Sequence, residues 1–100
     1  MLTLPIKRKW FDLILSGEKT EEYRERKPYY TARFRTLWEH AGIDGVQAPR
    51  QVRFRNGYSN DSPSLIAAVT LSIGEGRPEW GAVPGEKYYV LHIHNVETEK

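Results

Sequence analysis

The spacing of apolar side chains along this 100-residue chain changes from two to about four and back again. Leu2, Leu4 and Ile6 alternate with polar neighbours, as in a short strand with one buried face. Pro5 confines that strand to a sheet edge or to its own end. From Lys7 to Ser16 the period becomes helical. Trp10, Phe11, Ile14 and Leu15 share one face, while Lys7, Arg8, Lys9 and Asp12 fall elsewhere. Gly17 can adopt the left-handed conformation that ends a helix. Thr20 to Arg26 is charged throughout, and Thr20 and Tyr23 permit a strand there. Lys27-Pro28 interrupts it, because a residue before proline avoids the helical region. Thr31 is the expected cap of a second helix from Ala32 to about His40, with Phe34, Leu37 and Trp38 as its apolar face.

The second half reads as strands and turns. A loop is expected from Ala41 to Pro49. Gln51 to Arg55 alternates, with Val52 and Phe54 on one side and Arg53 and Arg55 on the other. Asn56-Gly57 is a turn signal, followed by a polar loop to Pro63. Leu65, Ala67, Val69, Leu71 and Ile73 share one parity and predict the longest strand. The Gly- and Pro-rich run from Gly74 to Gly85 predicts a loop around Glu79-Trp80. Lys87 to Asn95 predicts a last strand with Tyr89, Leu91 and Ile93 on one face, and Val96 to Lys100 a frayed tail. Together these predict one α+β, mainly β domain over residues 1–100: a small, mostly antiparallel barrel or curled sheet of about five strands with two flanking helices.

Composition narrows the chemistry. The chain has no cysteine, which excludes disulfides and thiolate metal sites and fits a reducing cytoplasm. No apolar run is long enough to span a membrane, and the opening residues lack the pattern of a secretory signal. A soluble, cytoplasmic protein without membrane contact is expected. The net charge is only +2, but residues 1–35 hold nine Lys and Arg against five acids. Seven of the twelve aromatics precede residue 40. Cations mixed with rings suit phosphate contacts and base stacking, and they also suit a plain solvated surface.

The stretch Gly17-Glu18-Lys19-Thr20-Glu21-Glu22-Tyr23-Arg24 concentrates the candidate chemistry. Glu22 and Arg24 are two apart and share a face of a regular strand, whereas Lys19 has the other parity. The three converge only if Lys19 sits in the turn after Gly17 or at a bulge. Lys19 can bind phosphate or, desolvated, act as a base. Its carboxylate neighbours favour the charged form. Glu22 can accept from a base edge or relay a proton, and Arg24 can hold a phosphate or carbonyl. The alternative is a structural ion-pair network.

Gly17, Lys19, Glu22 and Arg24 match the G-x-K-x-x-E-x-R signature of the ASCH domain, a member of the PUA-like superfamily. The motif's position, the chain length and the strand-rich second half also resemble that family. The resemblance implies a PUA-like β-barrel of five or six strands with the signature beside a cleft. It also implies a site for RNA, a nucleotide or a modified nucleoside. Some ASCH proteins hydrolyse the amide of acetylated cytidine, and others are reported to cleave RNA. In the amidohydrolase branch the residue three after the motif lysine is a threonine thought to be the nucleophile. Here that position is Glu22, and the nearest hydroxyl, Thr20, has the wrong spacing.

Further candidates are weaker. Arg26 and Lys27, Tyr29 and Tyr30, and then Arg53 and Arg55 can form a phosphate track with stacking rings, or a solvated face. Trp80 is either a cover for the core or a stacking platform. His92 and His94 share a strand parity without a third ligand at usual spacing, and His40 stands apart, so no metal or other cofactor is expected. No Ser-His-Asp order is apparent. Two functions follow. One is an RNA- or nucleotide-binding module that uses Lys19, Glu22 and Arg24, extended by Arg26, Arg53, Arg55 or Trp80. The other is a small hydrolase in which Lys19 and Glu22 are catalytic, with Tyr23 and Glu75 as possible helpers. A protein-interaction accessory is a third possibility, and the sequence names no partner for it.

Overall fold

A computed structural model describes residues 1–39 and 48–99. The elements run β1 (Thr3–Pro5), α1 (Arg8–Ser16), β2 (Glu21–Arg24), α2 (Pro28–Leu37), β3 (Arg50–Arg55), β4 (Ser64–Glu75), a 3₁₀ turn (Pro78–Trp80) and β5 (Lys87–Glu99). The five strands form one mixed sheet in the order β1-β3-β4-β5-β2. β1 runs parallel to β3, and the other pairs are antiparallel. The sheet curls into a half-barrel, with β1 and β2 as its two edges. No helix among the described residues is long and apolar enough to cross a membrane.

The concave side of the sheet holds the core. Leu4, Val52, Phe54, Leu65, Val69 and Leu91 are fully or almost fully buried, and Phe11 and Ile14 of α1 and Phe34 of α2 pack against them. Each side chain of that size stabilises the fold by about 1.5–3 kcal/mol when removed from water. In α1 the buried face is narrower than expected, because Leu15 remains exposed. Gly17 closes α1 with φ 88°, and its N–H reaches the Ile14 carbonyl at 3.1 Å. The left-handed turn folds the chain back so that the Lys19 N–H bonds the Leu13 carbonyl at 3.0 Å.

β4 takes in Gly74 and Glu75 of the expected loop, and Ile73 near its end is exposed although it shares the apolar parity. Two other elements depart further from the sequence reading. The second helix begins at Pro28 and not at Ala32. Proline restricts Lys27, which is extended, yet suits the first helical position itself because its missing N–H has no partner to lose there. Thr31 caps nothing, and its hydroxyl bonds the Tyr89 hydroxyl. At the other end, the tail expected to fray continues β5 to Glu99, paired with β4 from Ser64 to Ala68. The register shifts between Ala68 and Val69, so Asn95 faces Ala68, Ile93 faces Val69, and His94 is the extra residue of a bulge. The bulge inverts the parity, and Val96 joins Ile93 against the core. His40 and residues 41–47 of the expected loop lie outside the described residues.

Candidate functional site

The turn after α1 and the strand β2 carry the charged motif to the seam of the half-barrel. Register places Glu22 opposite Leu91 and Arg24 opposite Tyr89, so both side chains share the concave face. Lys19 reaches the same place from the turn, as the parity argument requires. Its ammonium donates to Glu22 Oε1 and, at 2.6 Å, to the Glu21 carbonyl. The rings of Trp10 and Tyr23 flank it, at 5.3 and 5.5 Å from their centroids. Arg24 Nη1 donates to Glu22 Oε2 and to the Tyr23 carbonyl at 2.9 Å, and Nη2 donates to the Pro5 carbonyl at 2.8 Å. One carboxylate is thus held between two cations, one on each oxygen.

Burial decides the electrostatics. Lys19 is 1% exposed and Glu22 5%. Removal from water lowers the Lys19 pKa from its ordinary value, against the opposing pull of the Glu22 carboxylate. The sequence expectation that neighbouring acids favour the ammonium is therefore reversed in direction: desolvation outweighs them. The cluster of Lys19, Arg24 and Glu22 holds two positive groups and one negative one, and so favours an electron-rich ligand atom. Arg24 spends three of its five N–H donors on the bonds given above. The others can serve a ligand.

Above this cluster lies a cleft of about 540 Å³. Glu22 and Arg24 reach its floor, and Trp10, Tyr23, Tyr30, Trp80 and Tyr88 contribute rings to its walls. Lys7, Glu25 and Glu86 complete the polar lining. Lys19 does not line the cleft. It lies behind Glu22, Trp10 and Tyr23 and acts on the cleft through them.

The loop carrying Trp80 is fastened to Tyr23. The Tyr23 hydroxyl donates to Glu21 Oε1 at 2.7 Å and accepts from the Arg77 N–H at 2.9 Å. Burial pushes this phenol well above its ordinary pKa, so it stays protonated as the donor. Gly76 permits the approach, since a Cβ there would stand 2.6 Å from Tyr23 Cζ. Glu75 braces the far side of the loop by accepting from the Gly85 N–H at 3.0 Å. The Arg77 guanidinium stacks on Trp80, 4.9 Å from its ring centroid.

Of the residues singled out in the sequence, Glu22, Arg24, Tyr23 and Trp80 meet in the cleft, with Lys19 directly behind. Arg26 is exposed and does not line it. Arg53 and Arg55 do not line it either. Arg53 is bonded to Glu99 through Nε at 2.6 Å and Nη2 at 3.1 Å, and Glu99 also accepts from Ser64 at 2.7 Å. These hydrogen bonds hold the Glu99 carboxyl down to a pKa of about 2 and raise that of Arg53. The acid missing between Arg53 and Arg55 in sequence is therefore supplied by the end of β5. Arg55 Nε is buried without a hydrogen-bond partner among the described residues.

Tyr30, expected as a stacking ring beside Arg26 and Lys27, does line the cleft, whereas sequence reasoning missed Trp10 and Tyr88. Trp10 falls on the apolar face of α1, where core and cleft are indistinguishable by spacing. Tyr88 has the parity opposite to the predicted Tyr89-Leu91-Ile93 face, and an aromatic on that other parity was the available signal. No group of three or more His, Asp or Glu able to hold a metal occurs among the described residues. Comparison with protein-family models, curated proteins and solved structures finds no match.

Proposed function

We propose that the cleft binds a nucleobase, presented by a nucleoside or by a single-stranded RNA segment in the cytoplasm. The carrying observation is the set of aromatic rings around a floor where Glu22 is clamped by Lys19 and Arg24. A flat heterocycle gains stacking from the walls, about 1–3 kcal/mol per base. Glu22 accepts from an amino or imino N–H, and the remaining Arg24 donors meet a carbonyl. Both partners are fixed before the ligand arrives, so little ordering is paid on binding. The polar lining is mixed in sign, which suits an uncharged base better than a chain of phosphates. Under this reading the chain is an ASCH domain of the PUA-like superfamily, and the half-barrel is its barrel with the seam left for the ligand.

The test is tryptophan fluorescence titration with the four ribonucleosides and with short single-stranded oligoribonucleotides, at low and high salt. Saturable quenching with a shallow salt dependence is expected, weakened by about 1–3 kcal/mol in Trp80→Ala. Absence of saturable quenching by every probe overturns the reading.

A hydrolase is the second reading, and one observation favours it: burial lowers the Lys19 pKa, and Glu22 connects that ammonium to the cleft. With no threonine at position 22, water would be the nucleophile, and the Lys19–Glu22 pair would relay its proton. Turnover assays on acetylcytidine and on RNA decide this. Equal rates in wild type, Lys19→Ala and Glu22→Gln would dismiss it.

A further inference from the structure

A second cluster lies on the opposite face of the sheet, away from the cleft floor. Ser72 of β4, His92 of β5 and Glu21 of β2 come together across three adjacent strands. Ser72 Oγ and His92 Nε2 are 2.7 Å apart, and His92 Nδ1 faces Glu21 Oε2 at 3.6 Å. Glu21 is itself oriented, because Tyr23 donates to its other oxygen at 2.7 Å. The carboxylate opposite Nδ1 favours the tautomer with its proton there, which leaves Nε2 as the acceptor of the serine proton. Ser72 is exposed and the His92 side chain is 38% exposed, so an approaching molecule can reach both. The order in sequence is acid, serine, histidine, with wide separations, and only strand pairing assembles it.

We propose that Ser72 is an activated nucleophile, with His92 as its general base and Glu21 as the positioning residue, and that it takes acyl groups from activated esters and phosphonyl groups from phosphonyl fluorides. In the phosphonyl case Ser72 Oγ bonds to phosphorus, the bond to fluorine breaks with loss of fluoride, and the serine proton passes to His92 Nε2 and from there to solvent. In the acyl case, Ser72 Oγ bonds to the carbonyl carbon and its proton passes to His92 Nε2. The bond to the leaving oxygen breaks, and that oxygen takes the proton from His92. Water then gives its proton to His92 Nε2 and adds to the acyl carbon; the bond from that carbon to Ser72 Oγ breaks, and Oγ takes the proton back from His92, leaving the free acid. The fold supplies its own control. His94 also bonds a hydroxyl, Thr70 Oγ1 to Nε2 at 2.8 Å, but has no acid paired behind it among the described residues. Thr70 is therefore the unactivated counterpart of Ser72.

The experiment treats the full chain with a fluorophosphonate and, separately, with p-nitrophenyl acetate, and follows it by intact-mass spectrometry and peptide mapping. One lasting adduct, on Ser72, is expected with the fluorophosphonate, and with p-nitrophenyl acetate an acetyl group on Ser72 that forms early and is then hydrolysed. His92→Gln is expected to slow its formation by about a hundredfold. His94→Gln is expected to leave the rate unchanged. Glu21→Gln should slow it by about tenfold while Glu21→Asp restores part of the rate, a pattern that a merely structural carboxylate would not produce. Circular dichroism confirms that each variant is folded before it is compared, and the His92→Gln comparison stands if a Glu21 variant fails that check. No adduct on Ser72, adducts confined to lysine or tyrosine, or equal rates in wild type and His92→Gln would overturn the proposal. This outcome is independent of base binding in the cleft, whose readout is tryptophan quenching.

Discussion

Arg24 Nη2 donates to the Pro5 carbonyl across 2.8 Å and so joins the two edge strands of the sheet, β2 and β1. Lys19 covers the Glu21 carbonyl and Arg24 the Tyr23 carbonyl, so side chains bond carbonyls of an edge strand that has no ladder partner beyond it among the described residues. The same cations clamp Glu22. The motif therefore builds the cleft floor and guards the edge of β2 at once, and the structural and functional readings of these charges are compatible.

Arg24→Ala should cost about 3–5 kcal/mol, because it leaves the Glu22 carboxylate half-paired and the Pro5 carbonyl without its donor. Arg24→Lys should recover only part of that, since a single ammonium cannot reproduce the planar fork. Urea unfolding at neutral pH measures both. Wild-type stability in Arg24→Ala would show the seam to be held by packing alone.

Lys19→Met should destabilise by about 2–4 kcal/mol, because Glu22 stays buried with one cation fewer. Combining it with Glu22→Gln should cost less than the sum of the single changes, a coupling that a double-mutant cycle reads directly. Burial lowers the Lys19 pKa below its unfolded value of 10.5, so its charged form opposes folding. This penalty is fully present at pH values below the lowered pKa and is relieved as pH rises through it. Relative to wild type, Lys19→Met should remove that rise.

Gly76→Ala should lower stability by about 1–3 kcal/mol, because the new methyl meets Tyr23 and the Ala82 Cβ, at 2.6 and 2.7 Å, and one of them must move. Thermal denaturation checks the stability, and Trp80 fluorescence checks the loop. Gly74→Ala, where a Cβ meets nothing within 4 Å, is the control and should lack this steric cost.

Glu99→Gln should reduce the acid sensitivity of the fold. The Glu99 pKa falls from 4.5 to about 2 on folding, through its bonds to Arg53 and Ser64. Its contribution is complete above pH 4.5 and is lost as pH falls toward 2. Unfolding followed from pH 6 to pH 2 should therefore drop less steeply over that window in Glu99→Gln than in wild type. Parallel curves would show that the β5 end is not tied to Arg53 in solution.

Much of the fold was legible where one face of an element is buried. Val52 and Phe54, and Leu65 through Val69, alternate as the sheet requires. The signal failed where geometry interrupts period. The His94 bulge inverts the alternation of β5, so residues that still pair looked like a free tail. Pro28 reads as a breaker until its tolerance at the first helical turn is considered. For the site, a two-residue spacing placed Glu22 and Arg24 together, and the turn at Gly17 placed Lys19. Spacing could not show that Lys19 lies behind the cleft wall, nor that Glu99 neutralises Arg53, because both depend on pairing between distant segments.

The three tryptophans provide the most direct measurement of base binding. Trp10 and Trp80 line the cleft, whereas Trp38 is in the core with its indole N–H on the Ala48 carbonyl at 3.2 Å. In ¹H–¹⁵N spectra recorded during titration with ribonucleosides, the indole signals of Trp10 and Trp80 should move together and saturate while that of Trp38 stays in place. Shifts led by Trp38, or no saturable shift of the other two with any nucleoside or short RNA, would contradict a base-binding cleft.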